Sequence, residues 1–313
     1  MSVATGSGGP GLTLGDLRGS RSRRNREAAI RWSFFGAAGL SLVINALIVI
    51  TLFGKAWDFV SSVDLSALWS NGWFPRRGLF DLKTVLAGTL IVAVTAMIVA
   101  APLGLGAAMY LAEYASPRRR RMLKPILEVL AGVPSVVLGY FALTWISPNV
   151  TQKLFGSSLF NLAAAGLGVG VLITPLVASV AEDAMYAVPR SLREASYGLG
   201  ATKRTTTLRV VFPAAVSGIV AALILGFSRA IGETLIVAIA GGGTGGSAFS
   251  VNPFEQGQTM TAAMTALATG SDQVRGAGGA FESLFFLGLL LFLMTLTLNV
   301  VSERFVRRVR QRY

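Results

Sequence analysis

Six stretches of this chain are long and apolar enough to cross a membrane, a length of about 20 residues for a hydrocarbon core ~30 Å thick. They are Trp32–Phe53, Thr84–Ala112, Val129–Gln152, Leu154–Ala181, Val210–Val237 and Ser283–Ser302. In lipid the backbone can satisfy its polar groups only as a helix or in a closed barrel. Polar–apolar alternation with a period of two is not sustained along any of the six, so helices are expected and a barrel is not. With 53% apolar and only 14% charged residues, a water-soluble domain is excluded. The expected fold is all-α: a membrane bundle of six transmembrane helices. The second stretch is long enough to tilt or project beyond the bilayer, and two charges interrupt the fifth.

Basic residues orient the bundle. Six Lys and Arg lie in the first 31 residues, five between 118 and 124, five between 190 and 209, and five from 304 onward. The alternate gaps hold six between them, and Arg229 lies within a span. The positive-inside rule then places both termini and the 190–213 loop in the cytoplasm. This divides the chain into a basic tail (1–31), a first span (32–53), an extracytoplasmic loop (54–82), a five-span core (83–306) and a short basic tail (307–313). Met1–Ser20 is rich in Gly and Ser and is expected to be disordered. The first apolar stretch exceeds a signal-peptide core and lacks a small-residue cleavage site, so it is expected to remain as a helix. The net charge of +13 resides mostly in these juxtamembrane clusters, where it serves topology and anionic headgroups rather than nucleic acid.

The chain carries no catalytic machinery of a familiar kind. It has no Cys and no His, which removes thiolate and imidazole chemistry and the usual zinc or haem ligands, and no cofactor is expected. Gly241–Gly246 has glycines but no following Lys, so it is not a phosphate-cradling loop; a flexible loop at the outer end of the fifth helix is expected. Glu182 and Asp183 are adjacent, so they point about 100° apart and make a poor acid–base couple. A solvated helix end is the reading there.

Two polar inserts remain. Between the fourth and fifth stretches, Ser191-Leu192-Arg193-Glu194 has the form of a capping box, and Gly200 the form of a helix stop. Thr202 is expected to cap a second short helix reaching Pro213. Inside the fifth stretch, Arg229 and Glu233 stand four apart, on one helical face if the helix is continuous. Each ionisable group costs roughly 2.5–3.5 kcal/mol at a bilayer centre, so such a pair marks either a pathway or a lock between helices. A guanidinium offers a planar fork of donors suited to phosphate. Pro134 and Ser135, in the third stretch, read as a kink with a hydroxyl nearby, and Asn45 as a hydrogen bond to a neighbouring helix.

Glu194-Ala195-Ser196-Tyr197-Gly198-Leu199-Gly200-Ala201, with Val211-Phe212-Pro213 beyond it, resembles the loop by which ABC-importer permeases dock on their ATPases. Ser196 stands where a second Ala is usual and Phe212 where Leu is usual. Ser228–Thr234 is similar to the Arg-Ala-hydrophobic-Gly-Glu-Thr segment of permeases of the phosphate-specific ABC importer. Pro102–Gly106, Leu130–Gly139 and Glu182–Ser191 agree, and the likeness runs from about Leu79 to the C-terminus. Of that importer's two related permeases, Ala131–Gly139 and Leu296–Arg310 look more like PstC than PstA.

This resemblance implies a type I ABC-importer permease bundle in a bacterial plasma membrane. Its implied partners are a second phosphate permease, two copies of an ABC ATPase, an extracytoplasmic phosphate-binding protein and the lipid bilayer, with inorganic phosphate as substrate. Glu194, Ala195, Gly200, Ala201 and Pro213 would couple to the ATPase. Arg229, Glu233, Thr234, Ser135 and Pro134 would line the path. A permease for molybdate or sulfate, or a membrane scaffold without a path, are the alternatives.

Overall fold

The computed structural model describes residues 21–243, 246–270 and 279–309. The Gly- and Ser-rich tail Met1–Ser20 and the last residues of the basic C-terminal tail lie outside them. Arg21–Ser62 is a single helix of 42 residues, α1, with no proline to interrupt it, so it outruns the Trp32–Phe53 stretch at both ends. Asn45 hydrogen-bonds within it: Nδ2 donates to the Ser41 carbonyl at 2.8 Å. The expected bond to a neighbouring helix is replaced by one to the turn below.

Beyond a short hairpin (β1, Trp73–Phe74; β2, Leu79–Phe80), α2 spans Leu82–Met109 and ends in a wide π turn, Tyr110–Tyr114. Next come α3 (Pro117–Ala131), α4 (Ser135–Phe141), a π stretch Ala142–Thr151 and α5 (Gln152–Phe155). The central helix is α6, Leu162–Tyr186. The cytoplasmic insert holds α7 (Arg190–Gly198), α8 (Lys203–Thr206) and α9 (Phe212–Ala214). After it lie α10 (Val216–Ile231), α11 (Leu235–Ala240), α12 (Met260–Ala268) and α13 (Glu282–Val309).

Among the described residues four helices pass as membrane spans: Asn25–Ser62, Leu82–Tyr114, Leu162–Tyr186 and Glu282–Val306. Two bent pairs complete the six if each is one span. Pro117–Ala131 meets Ser135–Phe155 at 83°, and Lys203–Ala214 meets Val216–Ile231 at 72°. Pro134 therefore does not kink a continuous helix. It stands before the first residue of α4, where its missing N–H and fixed φ start a helix after a bend. The fourth span likewise starts later than expected. Asn161 caps α6 by accepting from the Ala164 amide at 2.7 Å, which leaves 154–161 to α5 and a loop.

Small residues set the packing. α6 runs against α2 so closely that a Cβ on Gly166 would meet the Thr95 Cβ at 2.6 Å. One on Gly170 would meet the Ala96 carbonyl at 2.8 Å. On its other side, Gly226 of α10 faces Val177. With lipid outside there is no hydrophobic drive between helices, so close backbone approach and dispersion must hold them together. Gly170→Val is expected to destabilise the bundle by about 1–3 kcal/mol, the usual cost of overpacking, and to lower its thermal midpoint in detergent.

The outer end is also packed rather than loose. Gly242, at φ +82, lies where a Cβ would meet Phe160 at 2.4 Å, and its backbone bridges Gly257. Gly246 lies where a Cβ would meet the Trp73 carbonyl and the Phe74 ring, while Ser247 bridges Trp73. The glycines of 241–246 thus permit close approach, in place of the flexible loop expected; Thr244 and Gly245 lie outside the described residues.

Candidate functional site: a broken intramembrane helix and a cytoplasmic bracket

The fifth span is not one helix. α10 stops at Ile231 with Gly232 as its cap, and α11 starts at Leu235. Gly232 N–H donates to Ser228 O at 3.3 Å and Glu233 N–H to Ala230 O at 3.2 Å, so the last turn tightens before the chain breaks. Arg229 and Glu233 still meet, with Nη1 to Oε2 at 3.2 Å. The pair spans a helix end rather than sharing one helical face. Glu233 is buried, with a side chain 4% exposed, while the Arg229 side chain is 50% exposed. Among the described residues no other acceptor engages the guanidinium, so Nε and Nη2 remain available.

Neighbouring elements hold this break. The freed Glu233 carbonyl accepts from Thr261 Oγ1 of α12 at 2.7 Å, and Met260 N–H donates to Thr89 Oγ1 of α2 at 3.0 Å. Thr234 Oγ1 turns back to Gly232 O at 3.3 Å. Ser228 Oγ reaches Asn299 Oδ1 of α13 at 3.5 Å. Farther along, α11 and α12 border a cavity of about 170 Å³ that includes Ala238, Ala262, Thr265 and Thr269 in its walls. α12 was not anticipated: nine residues give too short an apolar run for a hydropathy reading. Its signal was Thr259, whose hydroxyl accepts from Ala262 N–H at 3.2 Å in the pattern of an N-cap. Ser135 and Pro134 open α4, which packs through Gly139 on Ile236 and Ile239 of α11. No hydrogen bond joins those two residues to the Arg229–Glu233 pair among the described residues.

On the cytoplasmic side the expected capping box is absent. Pro189 occupies the N-cap of α7 without a side-chain bond, and Ser191 lies already inside the helix. The reason is local: proline presets the first turn, so the helix starts one residue before Ser191. Gly200 does close it. At φ +78 its N–H donates to Tyr197 O at 2.9 Å, and Ala201 N–H to Ser196 O at 3.1 Å. Those two bonds are the Schellman closure. Thr202 caps α8 as expected, accepting from Thr205 N–H at 3.3 Å. Ser196 Oγ lies 2.9 Å from Thr206 Oγ1, a buried contact pinning α7 to α8 that an alanine could not make. Glu194 and Ala195 are exposed, Ala201 is half-buried, and Leu199 at the tip is 89% exposed. Pro213 lies in α9, just ahead of the bend into α10.

Two buried carboxylates fasten this insert to the spans. The π turn closing α2 turns Glu113 inward, where its Oε1 accepts from Arg193 Nε at 3.0 Å and Nη2 at 2.8 Å. Arg193 also donates to the carbonyls of Val188 and Met185, at 2.6 and 2.9 Å. Glu182 is fully buried and takes Arg120, together with Lys124 Nζ at 2.8 Å. The solvated helix end expected for Glu182–Asp183 is instead an anchor between α3 and α6. Asp183 bonds Lys124 Nζ at 2.6 Å. The Asp183 bond first, and then Glu182, push the Lys124 ammonium above the ordinary lysine value. A raised lysine pKa gives stability that is complete below the unfolded value and is lost only as pH rises through the folded one. Glu182→Gln, by leaving two cations short of a partner, should cost on the order of 3–5 kcal/mol and expose the α3–α4 bend to limited proteolysis.

Comparison with known proteins agrees with this architecture. The family described as "Binding-protein-dependent transport system inner membrane component" matches residues 100–313. "Probable ABC transporter permease protein YqgH" of Bacillus subtilis is 33% identical over 252 residues, covering 78% of this chain and 81% of that protein. "Phosphate transport system permease protein PstC" of Pasteurella multocida is 30% identical over 299 residues, covering 89% and 90%. In fold, the chain is similar to a solved bacterial ABC transporter involved in the import of the acidic polysaccharide alginate. The TM-score is 0.62 at 15% identity, with 92% of this chain and 100% of that one covered. A six-span bundle bent twice, with a short helical insert fastened to its inner end, and a family match over two thirds of its length have one reading: the chain belongs to the binding-protein-dependent transport system inner membrane components, the multi-pass permeases of ABC importers.

Proposed function

We propose that this chain is a PstC-type permease subunit of an ATP-driven phosphate importer in the bacterial plasma membrane. The observation that carries the reading is the state of Arg229. Its guanidinium stands half exposed beside a helix break inside an apolar span, held by one bond to buried Glu233, with donors to spare. A planar fork with unengaged donors suits a tetrahedral oxyanion. The relative's printed name supplies phosphate as that anion.

In this reading Arg229 gives the passing anion a cationic contact, and Glu233 keeps the charge from trapping it. Thr234 lines the break, and Pro134 and Ser135 start the helix that supports α11 from behind. The second permease contributes the other half of the path, and an extracytoplasmic phosphate-binding protein delivers the anion. Moving one negative charge inward against ~100 mV costs about 2.3 kcal/mol, so two copies of a partner ATPase supply the drive. Glu194, Ala195, Gly200, Ala201 and Pro213 form the docking insert. Exposed Leu199 seats in a groove of the ATPase, and nucleotide-driven closure rocks the spans between outward- and inward-open states.

Affinity purification of the tagged chain from its native membrane tests this. A second phosphate permease and an ABC ATPase should accompany it in a one-to-two ratio of this chain to ATPase. Recovery of the chain with no ATPase would overturn the reading in favour of a scaffold.

A further inference from the structure

α3 is the one long helix of the described core with no fully buried residue, and its surface divides into three edges. At 100° per residue, Arg120, Leu123, Lys124 and Leu127 fall on one side, and this side meets the acidic end of α6. Arg120 further stacks over Tyr186, its guanidinium carbon 3.8 Å from the ring centroid. A second edge is apolar and bare: Met122 is 61% exposed, Ile126 47%, Val129 74% and Leu130 49%. On the third, Arg118 and Arg121 are exposed, with no acceptor among the described residues. Beside it a shallow groove of about 430 Å³ is lined by Arg120, Arg121, Lys124 and Glu128.

The bend decides what this shape fits. α3 meets the Ser135–Phe155 arm at 83°, so when that arm follows the membrane normal α3 lies in the membrane plane. A helix so placed, with an apolar edge and a basic edge side by side, is built to sit at the boundary of headgroup and acyl chain. The basic edge falls on the side that the positive-inside rule makes cytoplasmic, where anionic lipids give a negative surface.

We propose that α3 docks in the plane of the cytoplasmic leaflet on anionic lipid headgroups, and that lipid charge thereby steadies the ATPase-docking insert. The headgroup phosphates take Arg118 and Arg121, while Met122, Ile126, Val129 and Leu130 enter the acyl boundary. The connection inward is short. Arg120 and Lys124 hold Glu182 and Asp183, and three residues beyond Asp183 the end of α6 leads through Pro189 into α7. Arg193 of α7 clasps that same end through the Met185 and Val188 carbonyls.

Because the chain has no cysteine, single-cysteine variants report one position each. The assembled complex, carrying a fluorophore at Val129→Cys or at Glu128→Cys, is placed in vesicles containing lipid with a quencher on its acyl chain. Quenching at 129 should exceed that at 128 about threefold or more, given an apolar edge sunk ~5–10 Å into the boundary. Equal quenching would overturn the docking, and so would quenching at 129 that arises only when the second permease is left out, which would make the edge a subunit contact. Basal ATP hydrolysis of the unlabelled complex is then compared in phosphatidylcholine alone and in an equal mixture with phosphatidylglycerol. Hydrolysis should be roughly fivefold higher in the mixture, and Arg118→Gln/Arg121→Gln should shrink that ratio to below about twofold. A wild-type complex indifferent to phosphatidylglycerol, or a double variant that keeps the full ratio, would contradict the steadying role. Neither readout depends on which anion the complex carries.

Discussion

Arg229→Gln is expected to lower uptake of labelled phosphate by more than about a hundredfold, while the complex still assembles and hydrolyses ATP. The scale follows from the site: removing one member of a pair with a buried partner costs about 3–5 kcal/mol, and 1.4 kcal/mol is a factor of ten. Glu233 is that buried partner, so Arg229→Gln also leaves an uncompensated carboxylate at the helix break. Glu233→Gln frees the guanidinium instead, and should either hold the anion too long or loosen the contact between α10 and α11. The double substitution Arg229→Gln/Glu233→Gln separates path from architecture. It restores neutrality, so a pair that only locks helices should regain both assembly and uptake. The expected outcome is recovered assembly with uptake still absent, read as expression of the intact complex against accumulation of label.

Gly200→Val should reduce the ATPase recovered with the permease by about tenfold. The reason is the backbone alone. Gly200 lies at φ +78, and nothing stands within 4 Å of the position a Cβ would take. A β-branched residue there pays for a left-handed conformation, on the order of 1–3 kcal/mol, and strains the bonds that close α7 at Tyr197 and Ser196. Asparagine tolerates this region, so Gly200→Asn should retain most of the ATPase. Equal loss in both variants would point to a clash in the docked complex rather than to the turn.

Much of the architecture was legible because lipid imposes it. Apolar runs of sufficient length and an asymmetric distribution of arginine carry the span count and the orientation without any tertiary contact. Gly200 and Thr202 were legible for a similar reason: a left-handed stop and an N-cap are local requirements, met within three residues. The capping box at Ser191 misled because Pro189 starts the helix earlier, and a capping pattern does not say which residue precedes the first turn.

The breaks were harder. Around Gly232 and around Pro134 the composition stays apolar on both sides, so hydropathy runs on through a bend that packing creates. Glu182 and Glu113 were out of reach for a different reason. Each takes its charge partners from far along the chain, Arg120 and Lys124 from 62 and 58 residues away, and Arg193 from 80. Adjacent charges at a helix end look solvated until the helix that covers them is in place. Arg229 and Glu233 were found as a pair but not as a helix terminus, and the terminus is what leaves the Glu233 carbonyl for Thr261 and the guanidinium half free.

The central claim is that this chain forms the path for phosphate, and the most direct measurement is anion accumulation by the purified complex in sealed vesicles. With binding protein on one side and ATP on the other, labelled phosphate should accumulate against its gradient, and excess sulfate or molybdate should leave its rate within about twofold, since a site built for one set of donors and acceptors rejects mismatched anions strongly. Accumulation of sulfate or molybdate in preference to phosphate, or ATP hydrolysis by an intact complex that moves no anion at all, would contradict the account.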